Sequence, residues 1–137
     1  MSEREEKWEP VEGIVTPAAR AVVDEDEGGL VVTMMFSEIV DGLTSNLHIN
    51  FGRVPAFTVY EEFAHPWLPE TPPPKLTGEW ARFSFPLLQI RDSEWMISLT
   101  KQLSPYPVLI HYRLITLDQI VDVLGKPPKV TWVNRET

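Results

Sequence analysis

The sequence predicts an α+β fold: a mixed, mainly antiparallel sheet with two helices packed on one face. Three observations lead there. Short β-rich runs punctuated by turn residues fill the first half of the chain. The segment TLDQIVDVLGKPP (116–128) combines a T-x-x-Q capping box at Thr116 and Gln119 with an apolar stripe at Leu117, Ile120, Val121 and Leu124. A second helix start, at Asp92 or Ser93, is followed by Trp95, Met96, Leu99 and Leu103 on one helical face.

Taken in order, residues 1–7 are charged and read as a disordered tail, leaving 8–137 as a single domain. WEPVEGIV (8–15) alternates loosely, and Pro10 marks it as an edge strand. AVVDEDEGGLVVTMMF (21–36) reads as a hairpin, because its valines favour strands and its acidic Gly-Gly centre favours a turn. In NLHINFGRV (46–54), Leu47, Ile49 and Phe51 point one way and His48 and Asn50 the other. AFTVYEEF (56–63) alternates again, with Phe57, Val59 and Glu61 opposed to Thr58, Tyr60 and Glu62.

The segment EEFAHPWLPETPPPK (61–75) carries five prolines, which fix φ and remove backbone donors, so it can be neither a helix nor a central strand. It reads as a stiff connector; its two P-x-x-P matches also fit a ligand for proline-reading domains. GEWARFSFPLLQI (78–90) reads as one or two strands. VLIHYRLI (108–115), apolar apart from His111 and Arg113, reads as a strand near a sheet's centre, and KVTWV (129–133) as a final strand.

Formal net charge is −8 and uneven. Residues 1–62 hold 13 acidic and 4 basic side chains, and the remainder 7 and 8. Such a field repels nucleic acid and anionic lipid and attracts basic partners. There is no cysteine, which removes disulfides, thiolate metal sites and thiol nucleophiles and fits a cytoplasmic location. No run approaches the ~18 apolar residues that span a bilayer.

The pattern AFTVYEEF, then DSEW, then HYRLITLDQIVDVL resembles a class of small, mostly uncharacterised bacterial proteins that include immunity-type partners of toxins. The resemblance spans residues 47–133 and rests on core and cap positions. It implies an α+β fold and a protein partner, and it transfers no catalytic residue.

Motifs for chemistry are sparse. His48, His65 and His111 fall in no metal-binding spacing, and no metal site or cofactor is predicted. Asp24-Glu25-Asp26-Glu27-Gly28-Gly29 starts like a calcium loop, but Gly28 stands at the fifth position, where an oxygen ligand is needed. No nucleophile elbow or phosphate-cradling glycine loop occurs. No catalytic residue is assigned.

Two functional readings follow. In the first, the chain is a non-enzymatic acidic binding protein, of immunity or antitoxin type. It would cover a basic partner protein through Asp24, Glu25, Asp26, Glu27, Glu38, Asp41, Glu61 and Glu62, with Trp67 as an apolar anchor. In the second, it binds a small ligand, or is an enzyme, with a pocket between the sheet and the proline-rich loop lined by Tyr60, His65, Trp67, His111 and Arg113. A further alternative is a homo-oligomeric subunit that self-associates through strand edges.

Overall fold

The computed structural model describes residues 3–37, 45–61, 73–102 and 108–134. Among these residues, nine strands form two antiparallel sheets. Strands β1 (Arg4–Lys7), β6 (Leu87–Arg91), β7 (Ile110–Ile115), β8 (Gln119–Gly125) and β5 (Ala56–Glu61) lie side by side in that order. Strands β2 (Ala21–Asp26), β3 (Gly29–Met34), β4 (Ser45–Gly52) and β9 (Lys129–Asn134) make the second sheet. Among the described residues the helical content is one α-helix, α1 (Glu94–Thr100), and a single 3-10 turn at Gly78–Trp80. Among the described residues no helix is long and apolar enough to cross a membrane.

The inward faces of the two sheets share one core. Leu30, Val32, Met34, Leu47, Ile49 and Phe51 come from the four-stranded sheet, and Leu87, Tyr112, Leu114, Val121 and Val123 from the five-stranded one. The Phe51 and Tyr112 rings, 5.4 Å apart, join them. Trp8 stacks on the same Tyr112 at 4.6 Å. The chain crosses between sheets three times: over residues 8–20, at Arg53–Pro55 and at Lys126–Pro128.

Several expectations hold. The 21–36 hairpin forms with β2 and β3 in register from Ala21↔Met34 to Asp26↔Gly29. Strand β4 buries Leu47, Ile49 and Phe51 and turns Asn50 to solvent. Strand β7 is the central strand of its sheet. The helix at 94–100 starts at Ser93, whose side chain accepts the Met96 N–H.

The α+β class with two helices on one face is overturned, and the decisive element is 116–128. It forms no helix. Thr116 starts a tight β7–β8 turn: its hydroxyl accepts the Gln119 N–H at 3.0 Å, the same hydrogen bond a capping box would make. Here, however, the Thr116 N–H donates to the Gln119 carbonyl at 2.9 Å, closing a hairpin. Leu117 is left exposed in the turn, and the supposed stripe divides between two faces of β8, with Ile120 and Leu124 on one and Val121 on the other. Packing on both faces of a central hairpin suits β-branched Ile120, Val121 and Val123 and outweighs a local helix signal. Pro127 and Pro128 turn the chain into the second sheet instead of stopping a helix.

Two smaller corrections concern the N-terminus. Residues 4–7, expected to be disordered, form the edge strand β1 on β6, from Arg4↔Arg91 to Lys7↔Leu88. The WEPVEGIV segment, expected to supply that edge, has no strand; after Trp8 donates its N–H to the Leu87 carbonyl, the chain leaves the sheet.

Candidate functional site

Strand pairing brings together ionisable side chains that lie far apart in sequence. Arg113 on β7 and Asp122 on β8 are direct register partners. Two residues back, His111 shares the Arg113 side of β7, because alternate residues of a strand face the same way. Asp122 is wholly buried, and His111 and Arg113 are nearly so. Arg113 donates from Nε to Asp122 Oδ1 at 2.9 Å and from Nη2 to Asp122 Oδ2 at 3.3 Å. Its third nitrogen, Nη1, donates to Glu5 Oε1 of β1 at 2.6 Å. Burial alone would lower the Arg113 pKa, but the hydrogen bonds and charges of Asp122 and Glu5 outweigh it and hold the group above its ordinary value.

On the other side of Asp122 stands His111. Its Nε2 lies 3.4 Å from Asp122 Oδ2 and makes no hydrogen bond. Its Nδ1 is 2.6 Å from Ser93 Oγ, while that same oxygen accepts the Met96 N–H at 3.1 Å. The Trp95 ring meets the imidazole edge-on at 5.3 Å. A serine, a histidine and an aspartate thus meet, but with the ring nitrogens reversed from a hydrolase triad, in which Nε2 faces the serine and Nδ1–H bonds the aspartate, and without the His–Asp hydrogen bond. Access is closed as well: Ser93 and Asp122 have no exposed surface and His111 has 1%. Ser93 Oγ is occupied as a helix cap and Asp122 as the counter-ion of Arg113. The cluster holds α1 and β1 onto the sheet.

The acidic surface is divided. Asp24, Glu25, Asp26 and Glu27 are all exposed at the free end of the β2–β3 hairpin. Alternation places Asp24 and Asp26 on the outer face, while Glu25, paired with Leu30, continues the inner face past the end of the core. The turn is rigid: the Gly28 N–H donates to Asp26 Oδ1 at 2.7 Å, and Arg53 Nε to the Glu27 carbonyl at 3.3 Å. An open depression of about 530 Å³ lies here, lined by Glu25, Asp26, Glu27, Gly29, Arg53 and Val54.

Glu61 belongs to the opposite end. It pairs with Gln119 beside the β7–β8 turn, whereas β5 begins at Ala56, close after Arg53. Five residues of extended chain separate the two ends by roughly 17 Å. Glu38, Asp41, Glu62 and Trp67 lie outside the described residues.

Of the alternative pocket, His111 and Arg113 do converge, on Asp122. Tyr60 is half-buried and, through Tyr60↔Ile120 and Arg113↔Asp122, shares their face of the sheet. His65 lies outside the described residues, as does Trp67. Among the described residues, no three histidines, aspartates or glutamates are placed to hold a metal ion.

Sequence reasoning missed Glu5, Ser93 and Asp122 as members of one cluster. Glu5 was hidden in a presumed tail, and Asp122 on the wet side of a presumed helix. The available signal was the H-x-R spacing inside an apolar strand: it sets two basic side chains on one buried face, which requires a buried acid opposite. The chain matches no protein-family model, no curated protein and no solved structure.

Proposed function

We propose that the chain is a non-enzymatic acidic binding protein that engages a basic partner protein, in the manner of an immunity or antitoxin-type inhibitor, through the free end of the β2–β3 hairpin. The observation that carries this reading is the run Asp24-Glu25-Asp26-Glu27. Its four exposed carboxylates lie on both faces of a hairpin end whose turn is fixed by hydrogen bonds. Such an array speeds encounter with a basic surface, and its rigidity lowers the ordering cost on binding. The absence of cysteine accords with a cytoplasmic setting.

The small-ligand reading has less support. The three donor nitrogens of Arg113 that would receive a ligand are bound to Asp122 and Glu5. His111 is buried under Trp95.

The test is affinity capture from a cell extract with the full chain and with a variant carrying Asp24→Asn, Glu25→Gln, Asp26→Asn and Glu27→Gln. A basic protein retained by the parent at low salt, and lost both on neutralisation and at raised salt, is the expected result. Equal retention by both chains, or retention indifferent to salt, would refute it. Light scattering at two concentrations separates this outcome from self-association.

A further inference from the structure

Strand β1 and helix α1 are far apart in sequence, yet each holds the other in place. Three contacts join them or their immediate supports. Glu3, just before β1, accepts the Glu94 N–H at the first residue of α1, at 2.7 Å. Glu6 Oε2 meets Arg91 Nε at 2.8 Å, at the end of the strand that leads into α1. Glu5 reaches α1 by the buried route: Glu5 to Arg113, Arg113 to Asp122, Asp122 alongside His111, His111 to Ser93, and Ser93 to the Met96 N–H.

Neither element has much of its own to stand on. β1 is four residues long and, among the described residues, pairs only with β6. α1 has seven residues, none of them buried, and isolated helices of that length do not persist in water. Beyond Trp8 the chain runs without strand structure through Glu9–Gly13, a segment containing Pro10.

We infer that β1 and α1 form a single clasp that opens as one cooperative unit, with the N-terminal strand acting as its catch, while the rest of the two-sheet core stays folded. The buried polar chain makes the coupling. Withdrawing Glu5 leaves Arg113 held by Asp122 alone; the guanidinium and carboxylate then shift against each other, and His111 and the Ser93 cap depend on their position. Withdrawing Glu3 removes a cap of α1 directly. Opening exposes the β6 edge and the Ser93–His111–Asp122 cluster together.

Native-state amide hydrogen exchange on the full chain tests this. The reporters for the clasp are the N–H groups of Trp8, Glu94, Met96 and Ile97, bonded to Leu87, Glu3, Ser93 Oγ and the Ser93 carbonyl respectively. The N–H groups of Ala19 and Met35, which donate to the Met35 and Arg20 carbonyls at the base of the β2–β3 hairpin, serve as the reference. In Glu5→Gln, the Trp8, Met96 and Ile97 amides are expected to exchange faster by a common factor on the order of ten. The Ala19 and Met35 amides should hold their rates.

Faster exchange at Trp8 with α1 unchanged would overturn the inference, as would an equal rise at every amide. Should Glu5→Gln fail to fold, the unaltered chain still decides. In low concentrations of urea, the Trp8 and α1 amides must follow one common dependence, less steep than that of the reference amides. Separate dependences refute a single clasp.

Discussion

Replacing Asp122 by Asn tests the cluster at its centre. The side chain keeps its size and one carbonyl oxygen, but it loses its charge and presents an NH2 to a guanidinium that can only donate. Arg113 then sits 4% exposed with Glu5 as its one charged partner. Of the three hydrogen bonds that Arg113 makes to carboxylates, the two to Asp122 are affected. Charge-assisted hydrogen bonds are worth about 1.5–3 kcal/mol each, and removing one partner of a buried pair costs about 3–5 kcal/mol. Because one acceptor survives, the expected loss is near the lower end, about 3 kcal/mol, a large share of the 5–15 kcal/mol that typically holds a domain together.

The pair itself is expected to add little stability compared with an apolar substitute. Arg113→Met with Asp122→Leu removes both charges, and Glu5, on an edge strand, can turn to water. That double variant is predicted to lie within about 1 kcal/mol of the parent, so the two single losses will be far from additive. Urea unfolding followed by circular dichroism measures all five chains: the parent, Asp122→Asn, Arg113→Met, Asp122→Leu and the double variant. An Asp122→Asn loss below about 1 kcal/mol, or a double variant as unstable as the summed singles, would refute the assignment of this pair as a buried, mutually dependent ion pair.

Three further outcomes are expected. Burial pushes the Tyr112 hydroxyl up from 10.0 to about 12, so stability present below pH 10 is lost as pH rises toward 12; ultraviolet titration should show a late tyrosine step that Tyr112→Phe abolishes. Gly29 has φ +120°, and a Cβ there would fall 2.2 Å from the Gly52 carbonyl carbon. Gly29→Ala should therefore cost more than about 3 kcal/mol, against about 1–2 kcal/mol for Gly13→Ala, where nothing lies within 4 Å, and equal losses in urea melts would disprove the close approach. Thr116→Val removes the hydroxyl that both accepts from the Gln119 N–H and donates to its carbonyl, which should cost about 1–2 kcal/mol; an unchanged urea midpoint would show that the backbone pair closes the turn unaided.

Strand content was legible wherever one face of a strand is wet. Leu47, Ile49 and Phe51 alternate with His48 and Asn50 because one side of β4 meets the core and the other meets solvent. The acidic turn at 24–29 was legible because glycines and carboxylates suit a turn whatever the rest of the chain does. The β8 strand was not, because both of its faces are covered: Ile120, Val121, Val123 and Leu124 then show no alternation, and a run apolar on both sides carries no period. The exposed carboxylates at 24–27 could be named from sequence. Their separation from Glu61 could not, since it depends on which strand β5 joins.

The same covering explains why the chemistry of the chain was misplaced. A histidine, an arginine, an aspartate and a serine invite a functional reading when seen in sequence, because such groups usually stay near water. A sheet buried on both sides gives them a different task. Its outward face must admit α1 and its edge must admit β1, and both are too short to dock by apolar area alone. Paired charges and a shared hydroxyl supply the attachment, at the cost of burying ions that are stable only while every partner is present. That dependence makes the attachment specific, since the β1 register is what sets the acid of Glu5 within reach of Arg113. It also makes the cluster a poor candidate for catalysis in the closed state. The exposed carboxylates of the β2–β3 hairpin end lie outside this buried network.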